Sequence, residues 1–217
     1  MSWPRDLGTL FTPPSAVRFR PNEIQTFTGK AYDFEAPTAA MIDLDDIAHA
    51  LSNACRFAGH VKRFYSVAEH CVRVSYALER WYPACADWLP GDGLLHDGHE
   101  AYVWDCPRPF KPLFVNAEGV NIYEQFANNA DEAIGAKFGI PPRRLHSPEV
   151  KRADDCLLVA EAKLLMHHGP EAWSSWEERY SKVEEPPAEA WWPSSVGWDP
   201  EFAEEAFHHR ARELGLS

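Results

Sequence analysis

Two histidines and two aspartates sit among apolar residues, where a helical repeat would bury them: His70, the adjacent pair His96 and Asp97, and Asp154. An imidazole or carboxylate sealed from water without a partner costs several kcal/mol. One divalent cation shared by all four would satisfy them together. The mixed nitrogen and oxygen set suits zinc, manganese, cobalt, nickel or iron rather than calcium. A structural zinc site is disfavoured, because such sites usually recruit cysteine. The five cysteines, Cys55, Cys71, Cys85, Cys106 and Cys156, contain no CxxC.

The elements that must position these groups read as helices. Asp43 or Asp45 can cap a helix to about residue 53, with Ile47, Ala50 and Leu51 on one face. Ser66 can cap the next, where Val67, Cys71, Val74 and Leu78 recur at spacings of three and four. The run Pro90-Gly91-Asp92-Gly93 opens a third, through about Trp104, with Pro107 and Pro109 beyond it. A helix over about 115–139 is closed by Gly139 and Pro141-Pro142, and Pro148 starts another to about 168. Residues 25–32 read as a short strand or hairpin around Gly29. Residues 184–200, rich in Pro and Trp, read as an irregular segment packed over the body. A last helix runs over about 200–214. The predicted architecture is all-α with a small N-terminal β arm. Residues 1–40 form the arm, 41–182 the body, and 183–217 a C-terminal Trp/Pro-rich segment and helix.

The chain has 217 residues, enough for one well-buried core. Its net charge of -12 argues against a stable nucleic-acid complex but not against a small phosphorylated ligand. No apolar run is long enough to span a membrane, and residues 1–10 lack a secretory pattern. An odd number of irregularly spaced cysteines reads as reduced thiols, so a cytoplasmic location is expected.

The flanking sequence carries a resemblance. The blocks are Phe64-Tyr65-Ser66-Val67-Ala68-Glu69-His70, Leu94-Leu95-His96-Asp97-Gly98-His99-Glu100-Ala101-Tyr102, Asp105-Cys106-Pro107-Arg108-Pro109-Phe110-Lys111 and Lys151-Arg152-Ala153-Asp154. Over roughly residues 25–165 the chain resembles the HD superfamily of metal-dependent phosphohydrolases. Within it, the chain is most similar to bacterial 5'-deoxynucleotidases and small phage dATP triphosphohydrolases. The resemblance implies an HD-domain helical bundle with the metal at its centre, held by His70, His96, Asp97 and Asp154, with magnesium as a possible second ion. It implies phosphoester hydrolysis by metal-activated water. Glu100 and Asp105 match carboxylates beside the metal and take catalytic roles. Glu100 falls four residues after His96 and three after Asp97, on the same helix face. Arg56 and Lys111 match phosphate-binding cations, and Phe57 and His60 are further substrate-binding candidates.

The implied reaction is hydrolysis of the 5'-phosphoester of a deoxynucleotide. A dNTP such as dATP would give deoxynucleoside and triphosphate, and a dNMP would give deoxynucleoside and phosphate. A hydrolase of a signalling nucleotide, ppGpp-like or cyclic, and an inactive nucleotide-binding module are the alternatives. Relatives that assemble suggest a homo-oligomer. The chain departs from the pattern at Gly98, His99 and Trp104. His99 is expected to face solvent, and Trp104 stands where a glycine often precedes the aspartate. His167, His168, His208 and His209 are expected at the surface.

Overall fold

The computed structural model describes residues 18–191 and 195–216. The expectations for the first ten residues and for part of the Trp-rich segment lie outside these. Helices dominate: α1 (Leu44–Asn53), α2 (Val67–Trp81), α3 (Leu89–Leu95), α4 (Glu100–Val103), α5 (Ile122–Phe138), α6 (Pro142–Leu145), α7 (Pro148–Leu165) and α8 (Pro200–Glu213). Two short strands, β1 (Glu23–Gln25) and β2 (Ala31–Asp33), pair antiparallel with Ile24 opposite Tyr32. The expected all-α body with a small β arm is present. Among the described residues no helix is long and apolar enough to cross a membrane.

Capping residues set several of the helix starts. Asp43 accepts from the Asp45 amide, Ser66 from Glu69, Asn121 from Glu124, Ser147 from Val150 and Asp199 from Phe202. Each satisfies an amide that the first helical turn leaves without a partner. The helix expected from residue 115 begins instead at Ile122. Gly119 turns the backbone at φ +80° and the Asn121 side chain closes the first turn, so residues 115–121 form a loop. The helix expected over 90–104 is two short pieces, with residues 96–99 forming turns between them.

The main core gathers Ile47 and Leu51 of α1, Val67 and Cys71 of α2, Leu94 and Leu95 of α3, Ile134 of α5, and Phe207 of α8. The C-terminal helix is therefore part of the body. The hairpin is tied down by the Thr28 amide and hydroxyl, which donate to Asp46 at 2.7 and 3.0 Å, and by Tyr32, which stacks on Tyr102 at 4.1 Å.

Helices α2 and α3 carry His70 and lead into His96, and a glycine lets them approach. A Cβ on Gly93 would run into Leu78 Cδ1 and lie 3.3 Å from Val74 Cγ1. Leu78 is fully buried and has little room to retreat. Gly93→Ala is expected to cost about 1–3 kcal/mol through overpacking, seen as a lower urea midpoint. An unchanged midpoint would mean that the two helices can part freely.

The segment after residue 183 is held by an ion pair on α2. Arg73 Nη2 donates to Glu69 Oε1 at 2.7 Å, with both side chains fully buried. Glu69 accepts from the Gly197 and Trp198 amides at 3.1 and 2.8 Å. Arg73 donates to the carbonyls of Ala190 and Ser195 at 3.1 and 2.7 Å, and its guanidinium lies 5.0 and 4.7 Å from the Trp191 and Trp198 ring centroids. Glu69, part of the block that resembles the phosphohydrolases, serves here to clasp the C-terminal segment.

Candidate metal centre

Three helical regions deliver the four candidate ligands to one place. His70 projects from α2, His96 and Asp97 from the turn after α3, and Asp154 from the second turn of α7. His70 Nε2 lies 3.8 Å from Asp97 Oδ2 and 3.3 Å from Asp154 Oδ1, and His96 Nε2 lies 3.1 Å from Asp97 Oδ2. The two imidazole centroids are 5.3 Å apart. The histidine side chains are sealed, while Asp97 and Asp154 keep 17% and 14% exposure. Access from solvent is thus on the carboxylate side.

Hydrogen bonding fixes which ring nitrogens face inward. His96 Nδ1 lies 2.8 Å from the Gly93 carbonyl, which can only accept, so Nδ1 carries the proton. His70 Nδ1 lies 2.6 Å from Glu161 Oε1 and donates to that carboxylate. With Nδ1 so engaged, each ring turns its Nε2 toward Asp97 or Asp154, and in the neutral form that nitrogen presents a lone pair. Both Nε2 atoms are buried, and neither makes a hydrogen bond. Lone pairs facing carboxylate oxygens repel unless a positive charge stands between them. His70, His96 and Asp97 offer ligand atoms within 4.8 Å of one another and could hold a metal ion. The electrostatics ask for the same charge. Burial opposes an imidazolium at His96, yet Asp97 overrides it and holds the ring well above its usual value. Burial likewise works against the Asp97 carboxylate, but His96 and His70 hold it well below the ordinary range.

Glu161 is the residue that the sequence reading missed. It is fully buried on α7 and accepts from His70 Nδ1, from Tyr65 OH at 2.8 Å and from Arg56 Nε at 3.1 Å. Burial raises its carboxyl, and the charges of His70 and Arg56 bring it below the ordinary value. A carboxylate behind a histidine fixes both ring orientation and tautomer. Its one signal in the sequence is its place seven residues after Asp154, two turns on, within the apolar run Leu157-Leu158-Val159-Ala160.

The other candidates divide. Arg56 is buried, with Nη1 3.6 Å from Asp97 Oδ2, and so reaches the cluster. Glu100 is 6% exposed and its Oε2 is without a partner. Burial and the charges of Asp97 and Asp105 push its carboxyl well up. Asp105 is also raised by burial, against the pull of Arg56 and Lys111. Lys111 lies over the Tyr123 ring at 5.0 Å, within electrostatic reach of both acids. Phe57 packs beside Leu158, Val159 and Tyr180, filling a small core cluster. His60 is exposed in the turn after it. That turn is strained, since Phe57 and Ala58 hold φ of 55° and 52°.

Two side chains take places that the sequence did not announce. Arg108 donates to Asp154 Oδ2 at 2.9 Å, Asp155 Oδ1 at 3.0 Å and Tyr180 OH at 2.6 Å. His99, expected in solvent, is buried. Its Nδ1 lies 3.1 Å from Asp131 Oδ1, and Asp131 Oδ2 lies 2.6 Å from His146 Nε2. The turn at 96–99 directs it into the body against α5, where the Asp131 carboxylate is already buried. His167, His168 and His209 are exposed, as expected, and His208 is half-buried.

Trp104 follows the end of α4 with φ 59° and ψ 161°, a region that only glycine enters without strain. A tryptophan there costs roughly 1–3 kcal/mol. The Tyr123 hydroxyl donates to its carbonyl at 2.9 Å, and its ring meets Tyr123 and Phe114 edge-on. The backbone thus explains why a glycine would suit this position.

No family model matches the chain. The uncharacterized protein YfdR of Escherichia coli K12 is 36% identical over 140 residues, covering 64% of this chain and 70% of that protein. The chain belongs to the YfdR family. A second relative, the uncharacterized protein RCAP_rcc00048 of Rhodobacter capsulatus, is 30% identical over 139 residues, 63% of this chain and 67% of that protein. The names of these relatives assign no chemistry, so a function for this member of the YfdR family rests on its own side chains.

Proposed function

We propose that the protein is a metal-dependent phosphohydrolase of the HD superfamily that cleaves the 5'-phosphoester of a deoxynucleotide. The observation that carries this reading is the pair of bare Nε2 atoms, from His70 and His96, buried against two carboxylates with no hydrogen bond of their own. His70, His96, Asp97 and Asp154 would hold the cation, and their nitrogen and oxygen donors suit zinc, manganese, cobalt, nickel or iron. The chemistry that such an ion supplies is activation of water near neutral pH and relief of phosphate charge.

The chain's own residues do the rest. Arg56 is kept charged and fixed by Glu161, and its Nη1 edge, 3.6 Å from Asp97 Oδ2, suits a phosphate oxygen. Lys111 adds a second positive charge on the side of Glu100 and Asp105. Glu100, buried with one oxygen unpartnered and its carboxyl pushed up, would hold and orient the attacking water. Asp105 is placed to contact the sugar or protonate the leaving 5'-oxygen. A monophosphate and a triphosphate present the same ester bond, so one set of groups serves either.

The test is a panel of dNTPs, dNMPs and ribonucleotides against magnesium, manganese, cobalt and zinc, with products read by mass. The expected result is metal-stimulated release of deoxynucleoside together with phosphate or intact triphosphate. Turnover confined to cyclic or pyrophosphorylated nucleotides would replace this substrate class. Nucleotide binding with no turnover under any metal would sink the enzyme reading.

A further inference from the structure

We propose that Trp104 is the surface on which the substrate's base stacks. This deepens the reading of the centre as a nucleotide site and rests on it. The indole is 56% exposed, although large aromatic rings are usually well buried. It is held in a backbone conformation that disfavours every residue but glycine, so the fold forgoes an easier choice to keep a ring there. Strain of this kind gathers where a side chain must be aimed.

The ring is also rigidly backed. Its centroid lies 5.8 Å from Tyr123 and 6.2 Å from Phe114, both edge-on, while the Tyr123 hydroxyl locks the Trp104 carbonyl. Edge-on neighbours support an indole without covering it. The next residue is Asp105, whose carboxyl feels Arg56 and Asp97, so the backbone that bears the ring leads directly into the candidate site. Lys111 lies over the same Tyr123 ring. Lys111, a candidate phosphate-binding cation, and the exposed indole thus both contact the Tyr123 ring, a layout that suits a nucleotide. Every base has a π face, so this surface supplies affinity for a base without choosing strongly among the four.

The experiment compares deoxyadenosine monophosphate with 2-deoxyribose 5-phosphate, which lacks the base. Binding is measured calorimetrically in chelator, so that nothing is hydrolysed, on the full chain and on Trp104→Phe and Trp104→Gly. The wild type is expected to favour the nucleotide, and Trp104→Gly to lose on the order of ten-fold in nucleotide affinity. Trp104→Phe should keep most of the preference, and the sugar phosphate should bind all three proteins alike. Trp104→Gly should also melt higher than wild type, because the strain is gone; a merely structural indole would lower the melting temperature. Equal binding of the two probes to wild type would overturn the proposal, as would a glycine variant that weakens both probes equally. A glycine variant with unchanged base preference but smaller mass in ultracentrifugation would overturn it too, and assign the face to a second copy of the chain. Metal-stimulated turnover is read separately. Base preference without turnover would keep the stacking surface and reject the phosphohydrolase, whereas turnover without base preference would do the reverse.

Discussion

An Asp97→Ala protein is expected to lose metal-stimulated turnover altogether and to gain no stability from added metal. Asp97 is the carboxylate that faces both imidazoles, with its Oδ2 3.1 Å from His96 Nε2 and 3.8 Å from His70 Nε2. Removing it leaves two nitrogens and Asp154, and takes away the charge that draws a cation to His96. Wild-type protein in a hundred-fold excess of metal over Kd should be stabilised by about 2.7 kcal/mol through binding alone. The variant should show no such shift in thermal denaturation with manganese, cobalt or zinc. Its metal-free stability should fall, since Asp97 and His96 favour each other's charged forms in the folded protein, so the readout is the response to metal and not the baseline. A variant whose melting temperature still climbs with metal as wild type's does would place the cation elsewhere and undo the assignment of this centre.

The second large effect belongs to Glu161. Its carboxylate receives His70 Nδ1, Tyr65 OH and Arg56 Nε at once, and no part of it reaches solvent. Glu161→Ala would leave a buried guanidinium uncompensated, which costs about 3–5 kcal/mol, so the alanine variant reports on stability rather than on chemistry. Glu161→Gln keeps the volume and separates the roles. Its amide oxygen can still accept from one donor, but its NH2 faces the others as a donor against donors. Metal affinity is expected to fall about 10- to 100-fold, measured by competition with a chromogenic chelator, and turnover at saturating metal should recover in part. Unchanged affinity in Glu161→Gln would mean that the helices alone hold the His70 ring in place.

The four candidate ligands were legible because polar side chains in apolar helical stretches demand a reason, and one cation would serve all four. The caps at Asp43 and Ser66 were legible from the same logic of unsatisfied amides. Glu161 was not, because a single glutamate in a helix reads as a solvated face until the partners across the core are known. Two of those partners, Tyr65 and His70, lie 96 and 91 residues away in the chain. His99 misled for a related reason: its burial depends on the bend at 96–99 and on Asp131, which local periodicity does not reveal. The start of α5 was placed too early, because the apolar residues Val115 and Val120 continue a pattern that Gly119 breaks.

The buried pair of Glu69 and Arg73 makes the stretch beyond residue 183 a structural partner of α2, the helix that bears His70. A fragment ending at 182 would uncover both charges, strip Arg73 of its two tryptophan contacts and leave α2 without its α8 neighbour. The compositional boundary at 183 is thus no seam along which the molecule can be divided. Expression strategies that trim the tail to isolate a catalytic core would be removing one wall of it.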